Sequence, residues 1–409
     1  MSKNVYIPPI EICERRLLDI TKLEGWLKTN GHNIVDSPKF ADVIVVSTCA
    51  FNDFKENLAI SKIEEMLKKN KKLIVIGCLP SINPDYIKEK RLIGIPPKDM
   101  HKIDEWFKSD SSITKAFDGN SIYKLSKPKM AFRRFFEEFE FNEIFLIKIK
   151  KFLEFRIFGK RTKEMYWLRI NNGCSSKCAY CMIRHATGTY KGKSYEECVI
   201  ELRKGLTAGF RHFTLTGEDT GAWGSGSKTN FPWLIQKLLN ENKNFLLSMK
   251  NIHPIWLVKY SKELLPLCSS GRIYDIQTSF ESGSQRILKL MNRPVFTNKL
   301  SQVCRSIKQS SKTKLACIAM IGFPTETRND FMDTLKLIVA SNIDTVAMFP
   351  YAEKKGALSV PIKPKVSESE KENRKKIAKL FLKKYGYKKY RYPRRTGILF
   401  SKKPPKLCP

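Results

Sequence analysis

Residues 171–190, NNGCSSKCAYCMIRHATGTY, carry Cys174, Cys178 and Cys181 in the spacing C-x-x-x-C-x-x-C. Thiolates are soft ligands, and three this close can bind three irons of a 4Fe–4S cube. The fourth iron then has no protein ligand and is open to another molecule. A zinc knuckle is the competing reading. It requires a fourth ligand, for which His185 is at hand. Three further cysteines, Cys13, Cys49 and Cys78, are scattered through the first part of the chain. They form one site only if the fold gathers them; three separate buried thiols account for them equally well.

The elements that must position these residues follow from the hydrophobic period. Residues 1–95 read as an α/β unit. Ile20, Leu23, Trp26 and Leu27 stand at helical spacing over 19–30, and the pattern stops at Gly31. Residues 41–50, ADVIVVSTCA, and 73–78, LIVIGC, are apolar runs of the kind found in buried parallel strands, with a helix predicted over 54–69 between them. Cys49 and Cys78 then fall at the C-terminal ends of strands, the edge where open parallel sheets bind ligands. Cys13 lies in the loop before the first long helix. Residues 166–350 read as serial strand–helix units. Strands are predicted at 167–170, 213–216, 244–249, 273–278, 315–321 and 345–349, and helices at 195–208, 231–240 and 327–340. Polar or glycine-bearing segments follow the strands: Gly217-Glu218-Asp219, Glu281-Ser282 and Ile321-Gly322-Phe323. That pattern suggests a barrel whose site faces the strand C-termini.

Residues 96–165 are expected to connect these units. Within them 121–134 is basic with interleaved aromatics, and 139–158, FEFNEIFLIKIKKFLEFRIF, reads as a helix packed between domains or lying on a membrane or RNA surface. Residues 366–382 form a charged helical segment. The tail 383–409 combines cations with tyrosines, which suits base stacking and phosphate contact, or equally a solvated disordered segment.

The chain has 409 residues, room for two or three domains, and its 42% hydrophobic content is ordinary for a globular protein. No apolar run is long enough for a transmembrane helix, and the N-terminus lacks the apolar core of a signal peptide. A cytoplasmic location is expected, so the eleven cysteines are metal ligands, reactive thiols or core residues rather than disulfides. Cys198, Cys268, Cys304, Cys317 and Cys408 stand alone and are expected to be core residues. The net charge of +35 favours a polyanionic partner, tRNA or rRNA before membrane. Lysine far outnumbers arginine, however, and AT-rich coding would produce the same bias.

The motif C-x-x-x-C-x-aromatic-C, with Tyr180 as the aromatic, resembles the signature of the radical S-adenosylmethionine (SAM) enzymes. The wider stretch INNGCSSKCAYCMIRHATG resembles their methylthiotransferase branch, which adds CH₃S– groups to tRNA or protein. The resemblance implies an N-terminal doubly wound (flavodoxin-like) parallel sheet over 1–95 and a partial (β/α)6 barrel over 166–355; the connector 96–165, longer than the family's, and a basic helical tail over 356–409 are read from the residues. In that family SAM chelates the open iron and reduction cleaves it to a 5′-deoxyadenosyl radical. CERRLLDITKLEGWL, ADVIVVSTCA and LIVIGCLP resemble the segments that hold a second 4Fe–4S cluster, which assigns Cys13, Cys49 and Cys78 as its ligands. Gly217, Glu218 and Asp219 are implied near the SAM amino group, Glu281 and Ser282 near the ribose, and Tyr180, Ile321 and Gly322 near the adenine. TGEDTGAWG and CMIRHATG resemble the branch that acts on threonylcarbamoyl-adenosine beside the tRNA anticodon. Two SAM molecules per turnover and an electron donor such as flavodoxin or ferredoxin are implied, with no catalytic residue beyond the cluster ligands.

The sequence departs from the family at several places. Glu14 and Arg16 replace a Gln and an Asn, while Asp19 is kept. A His- and Gln-bearing segment is Gln277-Thr278-Ser279-Phe280-Glu281 here, and a Tyr-Ser-Pro-Arg segment is Tyr351-Ala352-Glu353-Lys354. Residues after 370 look too few, and too poor in strands, for the small RNA-binding β-barrel of tRNA-modifying members. A ribosomal protein or ribosomally made peptide is therefore the alternative substrate. A non-catalytic iron–sulfur or RNA-binding protein is the third reading.

Overall fold

The computed structural model describes residues 2–109, 111–120, 165–390 and 397–403. The stretches 121–134 and 139–158 and Cys408 lie outside the described residues. Among the described residues no helix is long and apolar enough to cross a membrane.

The N-terminal sheet contains β1 (Asn4–Tyr6), β2 (Asn33–Val35), β3 (Val43–Thr48), β4 (Lys72–Gly77) and β5 (Ile93–Ile95). The strands are all parallel, in the order β2–β1–β3–β4–β5. This is the doubly wound order in which ligands bind at the strand C-termini. Side chains alternate across the sheet, so Ile44, Val46, Leu73 and Val75 meet Ala59, Ile63 and Met66 of the helix Asp53–Leu67. Val43, Val45, Ile74 and Ile76 meet Leu23, Trp26 and Leu27 of the first helix, Glu14–Thr29. Both faces are covered, which is why residues 43–46 of β3 and 73–76 of β4 are unbroken aliphatic runs. Each fully buried aliphatic contributes about 1.5–3 kcal/mol. Ile103, Phe107 and Ile113 also join this core, so the unit continues past residue 95. β1 and β2, three residues each, escape a periodicity argument because so few side chains alternate.

The second sheet has six parallel strands in sequence order: β6 (Met165–Arg169), then, after a short ribbon of β7 (Asn171–Asn172) and β8 (Lys191–Gly192), β9 (His212–Thr216), β10 (Leu246–Ile252), β11 (Ile273–Glu281), β12 (Lys314–Ile321) and β13 (Thr345–Pro350). The sheet is open rather than closed, an arc of strand–helix units. Beyond β13 it gains two antiparallel strands, β15 (Ile398–Ser401) and the edge strand β14 (Lys388–Tyr390). The reading of residues 383–409 as a solvated disordered segment is therefore corrected for this part of the tail: Ile398, Leu399 and Phe400 are buried against the arc. Their hydrophobic run is only three residues long and lies between lysine-rich stretches, so composition hides it.

The two sheets meet at their strand ends. The first helix begins at Glu14, not near residue 19 as the apolar period suggests, because its first turn faces the barrel with charges. Leu18 packs on Trp167. Arg169 donates to Asp19 at 2.6 Å and to the Arg15 carbonyl at 2.8 Å. Lys354 is buried and binds Asp53 and Glu56 at 2.7 and 2.6 Å, so the Tyr351–Lys354 departure serves the interface.

Candidate active site

The antiparallel ribbon β7–β8 closes the loop that carries Cys174, Cys178 and Cys181. Gly173 enters it at φ +69°, where a Cβ would stand 2.1 Å from the Thr189 carbonyl oxygen, so only glycine fits. The Cys181 N–H bonds the Cys178 carbonyl at 3.1 Å, which turns the loop back on itself. The barrel fastens it from outside. The Ala179 N–H donates to the Met291 carbonyl, and Asn292 Nδ2 donates to the Lys177 carbonyl, both at 2.9 Å. The three cysteines are half-buried. Burial pushes the Cys174 thiol up to about 12 and the Cys181 thiol to about 11. Such thiols become thiolates when a cation binds.

Arg293 supplies positive charge at this loop. It is only 5% exposed, donates Nη1 to Cys178 Sγ at 3.1 Å and Nη2 to the Ser279 carbonyl at 2.7 Å. Glu281 lies close to it, at φ +61°, a strained conformation for a non-glycine residue. Burial raises the Glu281 carboxyl, while Arg293 and a hydrogen bond from Tyr180 hold it down. Tyr180 also packs edge-on against Phe323 at 6.5 Å. His253, at the end of β10, caps the helix Pro254–Lys259 by accepting the Ile255 N–H. Burial, with Arg293 nearby, depresses it to about 2, so it is neutral.

The strand-end residues divide into those that face the cysteine loop and those that do not. Asp219 accepts from Ser175 of the loop and from Trp256 Nε1 at 2.8 Å. Glu218 turns the other way and binds Arg16 at 3.0 Å. Gly217 offers its carbonyl to Arg15 at 3.3 Å. Ser282 is buried with its hydroxyl toward Thr334, 3.4 Å away, rather than into the arc. Ile321 is buried in the core. Above Gly322, the place of a Cβ is taken by the Lys371 methylenes, 2.6 Å from it, so the close approach that glycine permits is made by the C-terminal helix Glu368–Lys383.

Cys13, Cys49 and Cys78 converge. Cys13 caps the first helix, Cys49 follows β3, and Cys78 follows β4 and caps the helix Leu79–Ile82. Cys13 and Cys49 share a hydrogen bond that drives the Cys13 thiol down to about 6 against its burial, helped by Arg15 and Arg16. Burial raises Cys78 to about 12, although Arg16 and Arg15 oppose it. The triad faces the barrel: Arg16 reaches Glu218, Glu14 reaches the Asn251 side chain, and Met182 and Ala186, just past the loop cysteines, pack with Cys78, Leu79 and Ile82. The family departures Glu14 and Arg16 are thus interface residues.

Each donor set is three thiols beside guanidinium groups, which fits an anionic iron–sulfur cube lacking one protein ligand. Zinc is less well served. His185, the fourth ligand the sequence offers, is exposed. Sequence reasoning missed Arg293 and His253. Arg293 stands alone between Asn292 and Pro294, with no spacing to a cysteine to mark it.

Comparison with known proteins agrees with this architecture. Residues 168–338 match the radical SAM superfamily, and residues 13–94 match the uncharacterized protein family UPF0004. A probable threonylcarbamoyladenosine tRNA methylthiotransferase of Pyrococcus horikoshii is 25% identical over 350 residues, 85% of this chain and 76% of that protein. The ribosomal protein uS12 methylthiotransferase RimO of Vibrio cholerae is also 25% identical, over 88% of this chain and 73% of its own. Among solved structures, the radical SAM methyltransferase TsrM of Kitasatospora setae, with cobalamin and a 4Fe–4S cluster bound, superposes with a TM-score of 0.59 at 12% identity, covering 86% of this chain and 75% of that one.

Proposed function

We propose, for a chain that belongs to the radical SAM methylthiotransferase family and is a transferase of that kind, that it inserts a methylsulfanyl group at C2 of threonylcarbamoyl-adenosine next to a tRNA anticodon. The observation that carries this reading is the pairing of two thiol triads across one interface, one in the barrel and one at the facing edge of the doubly wound sheet.

In this reading Cys174, Cys178 and Cys181 hold one 4Fe–4S cluster, and Cys13, Cys49 and Cys78 hold a second. The barrel cluster, when bound with SAM, supplies reductive cleavage of the cofactor to a carbon radical. The chain's own residues position and insulate that chemistry. Arg293 holds Cys178 by a charge-assisted hydrogen bond. Asp219 and Glu281 offer carboxylates beside the loop for the SAM amino and ribose groups, and Tyr180 with Phe323 forms an apolar wall for its base. Neutral His253 adds no charge beside Arg293. Glu218 and Ser282, engaged with Arg16 and Thr334, act by holding the strand ends in place. An electron donor such as flavodoxin or ferredoxin would supply the reducing electron, and the reaction belongs in the cytoplasm with its tRNA.

The second reading keeps the chemistry and takes a ribosomal protein as substrate; equal identity to a uS12-modifying relative favours it. Mass spectrometry of tRNA nucleosides from cells with and without the gene decides between them. Loss of a methylthio-threonylcarbamoyl-adenosine is expected. Unchanged nucleosides, with loss of a methylthio group from ribosomal protein, would replace the first reading by the second.

A further inference from the structure

After Glu372 the sequence contains no aspartate or glutamate. The structure shows what this one-sided composition builds. The C-terminal helix Glu368–Lys383 buries Lys371, Arg374, Ala378 and Leu382 against the barrel. Its opposite face carries Lys376, Lys379, Leu380 and Lys383, spaced to lie on one stripe. Lys384 and Tyr385 continue the stripe past the helix end, and the edge strand β14 adds Lys388 and Lys389. All of these side chains are exposed, Leu380 at 65% and Tyr385 at 48%. Among the described residues none of these lysines makes an ion pair, in contrast to Lys371, Arg374 and Lys375, which engage Glu368, Glu326 or Glu370, and Glu372.

We propose that this stripe and strand β14 form one docking surface for the phosphate backbone of folded RNA, the substrate tRNA. The proposal rests on the tRNA reading above and locates where that RNA is gripped. Lysines on an edge strand also guard against sheet-to-sheet pairing, but that purpose needs only β14 itself. It does not explain unpaired cations along a helix, with an exposed leucine and tyrosine among them. Each of these lysines presents a point charge that can neutralise a phosphate without reading a base. The exposed Tyr385, tilted against Phe381 at 5.2 Å, gives a face on which an unpaired base can stack.

The test uses the full chain with its clusters reconstituted, and unfractionated tRNA as the probe, titrated over a range of KCl. The combined variant Lys376→Glu, Lys379→Glu, Lys383→Glu is compared with Lys68→Glu, Lys69→Glu, Lys71→Glu. The latter changes the net charge equally at exposed sites on the N-terminal unit. The surface variant is expected to bind tRNA about tenfold or more weakly near 0.1 M salt, with its log–log salt slope reduced by about 2 to 3, while the control changes only slightly. The milder Lys→Gln triple at 376, 379 and 383 should reduce the slope in the same direction, which guards against a misfolded charge reversal. Equal weakening by both Glu triples would overturn the surface and leave the tRNA reading standing. Failure of the wild-type chain to bind tRNA would overturn both. Loss of binding to phosphatidylserine vesicles with tRNA affinity intact would assign the surface to membrane and overturn the proposal.

Discussion

The two thiol triads are built in opposite ways. Cys174, Cys178 and Cys181 lie in one loop, shaped at Gly173 by a positive φ and a close backbone approach that only glycine allows, and pinned by hydrogen bonds from the barrel. Cys13, Cys49 and Cys78 come from three segments that meet only because a parallel sheet brings the ends of β3 and β4 beside the start of the first helix. Their surroundings differ too. The loop triad has one buried arginine, Arg293, and a neutral histidine. The sheet triad has Arg15 and Arg16, and Arg16 is tied to the barrel through Glu218. A local motif can carry its own geometry, whereas a dispersed one depends on the domain interface for its environment.

The largest expected effect separates the triads by that dependence. Arg16 and Glu218 form a pair whose side chains are only 2% and 3% exposed. Arg16→Ala leaves the Glu218 carboxylate buried with one partner fewer, and should cost about 3–5 kcal/mol in chemical denaturation. Lys336→Ala, which breaks an exposed pair with Asp333, should cost less than about 1 kcal/mol. Arg16→Ala should also loosen iron at the sheet triad while the loop triad keeps its own. Equal loss at both would mean that the interface, not the local guanidinium, is what the substitution damages.

Arg293 gives the converse perturbation. Arg293→Gln removes a charged donor from Cys178, so the more negative, reduced form of a cluster there is disfavoured. Its midpoint potential should fall on the order of 60 mV, one tenfold step for a one-electron couple, with the sheet cluster unmoved. An unchanged potential would show that the 3.1 Å contact to sulfur has no electronic consequence.

The smallest effect is in acid. His253 is neutral in the fold, its pKa lowered to about 2 by burial and by Arg293. An unfolded histidine takes up a proton near pH 6.5, so the stability that neutral His253 gives is complete above that pH. It is lost as pH falls, by about 1.4 kcal/mol per pH unit. His253→Asn keeps a capping acceptor and should flatten this slope between about pH 6.5 and 5, as read by denaturation at each pH. A slope that persists would place the acid sensitivity elsewhere.

What sequence could convey follows the same division. C-x-x-x-C-x-x-C is legible because the ligands are near neighbours and spacing is geometry. β3 and β4 are legible because both faces are buried, so residues 43–46 and 73–76 are unbroken aliphatic runs. Convergence of Cys13 with Cys49 and Cys78 was legible only once the sheet was inferred. Arg293, the Arg16–Glu218 pair and the Lys371 cover over Gly322 are contacts between distant segments, and no period or spacing announces them. The buried strand β15 was hidden in a basic tail for the same reason: its partner, β13, lies some fifty residues earlier.

Iron stoichiometry after anaerobic reconstitution tests the central claim most directly. The wild-type chain should hold about eight irons, and Cys174→Ala, Cys178→Ala, Cys181→Ala combined should hold about four. Cys13→Ala, Cys49→Ala, Cys78→Ala combined should also leave about four, held by the other triad. A wild-type content of about four that is unaffected by the second triple variant would contradict two clusters and leave a one-cluster radical SAM enzyme.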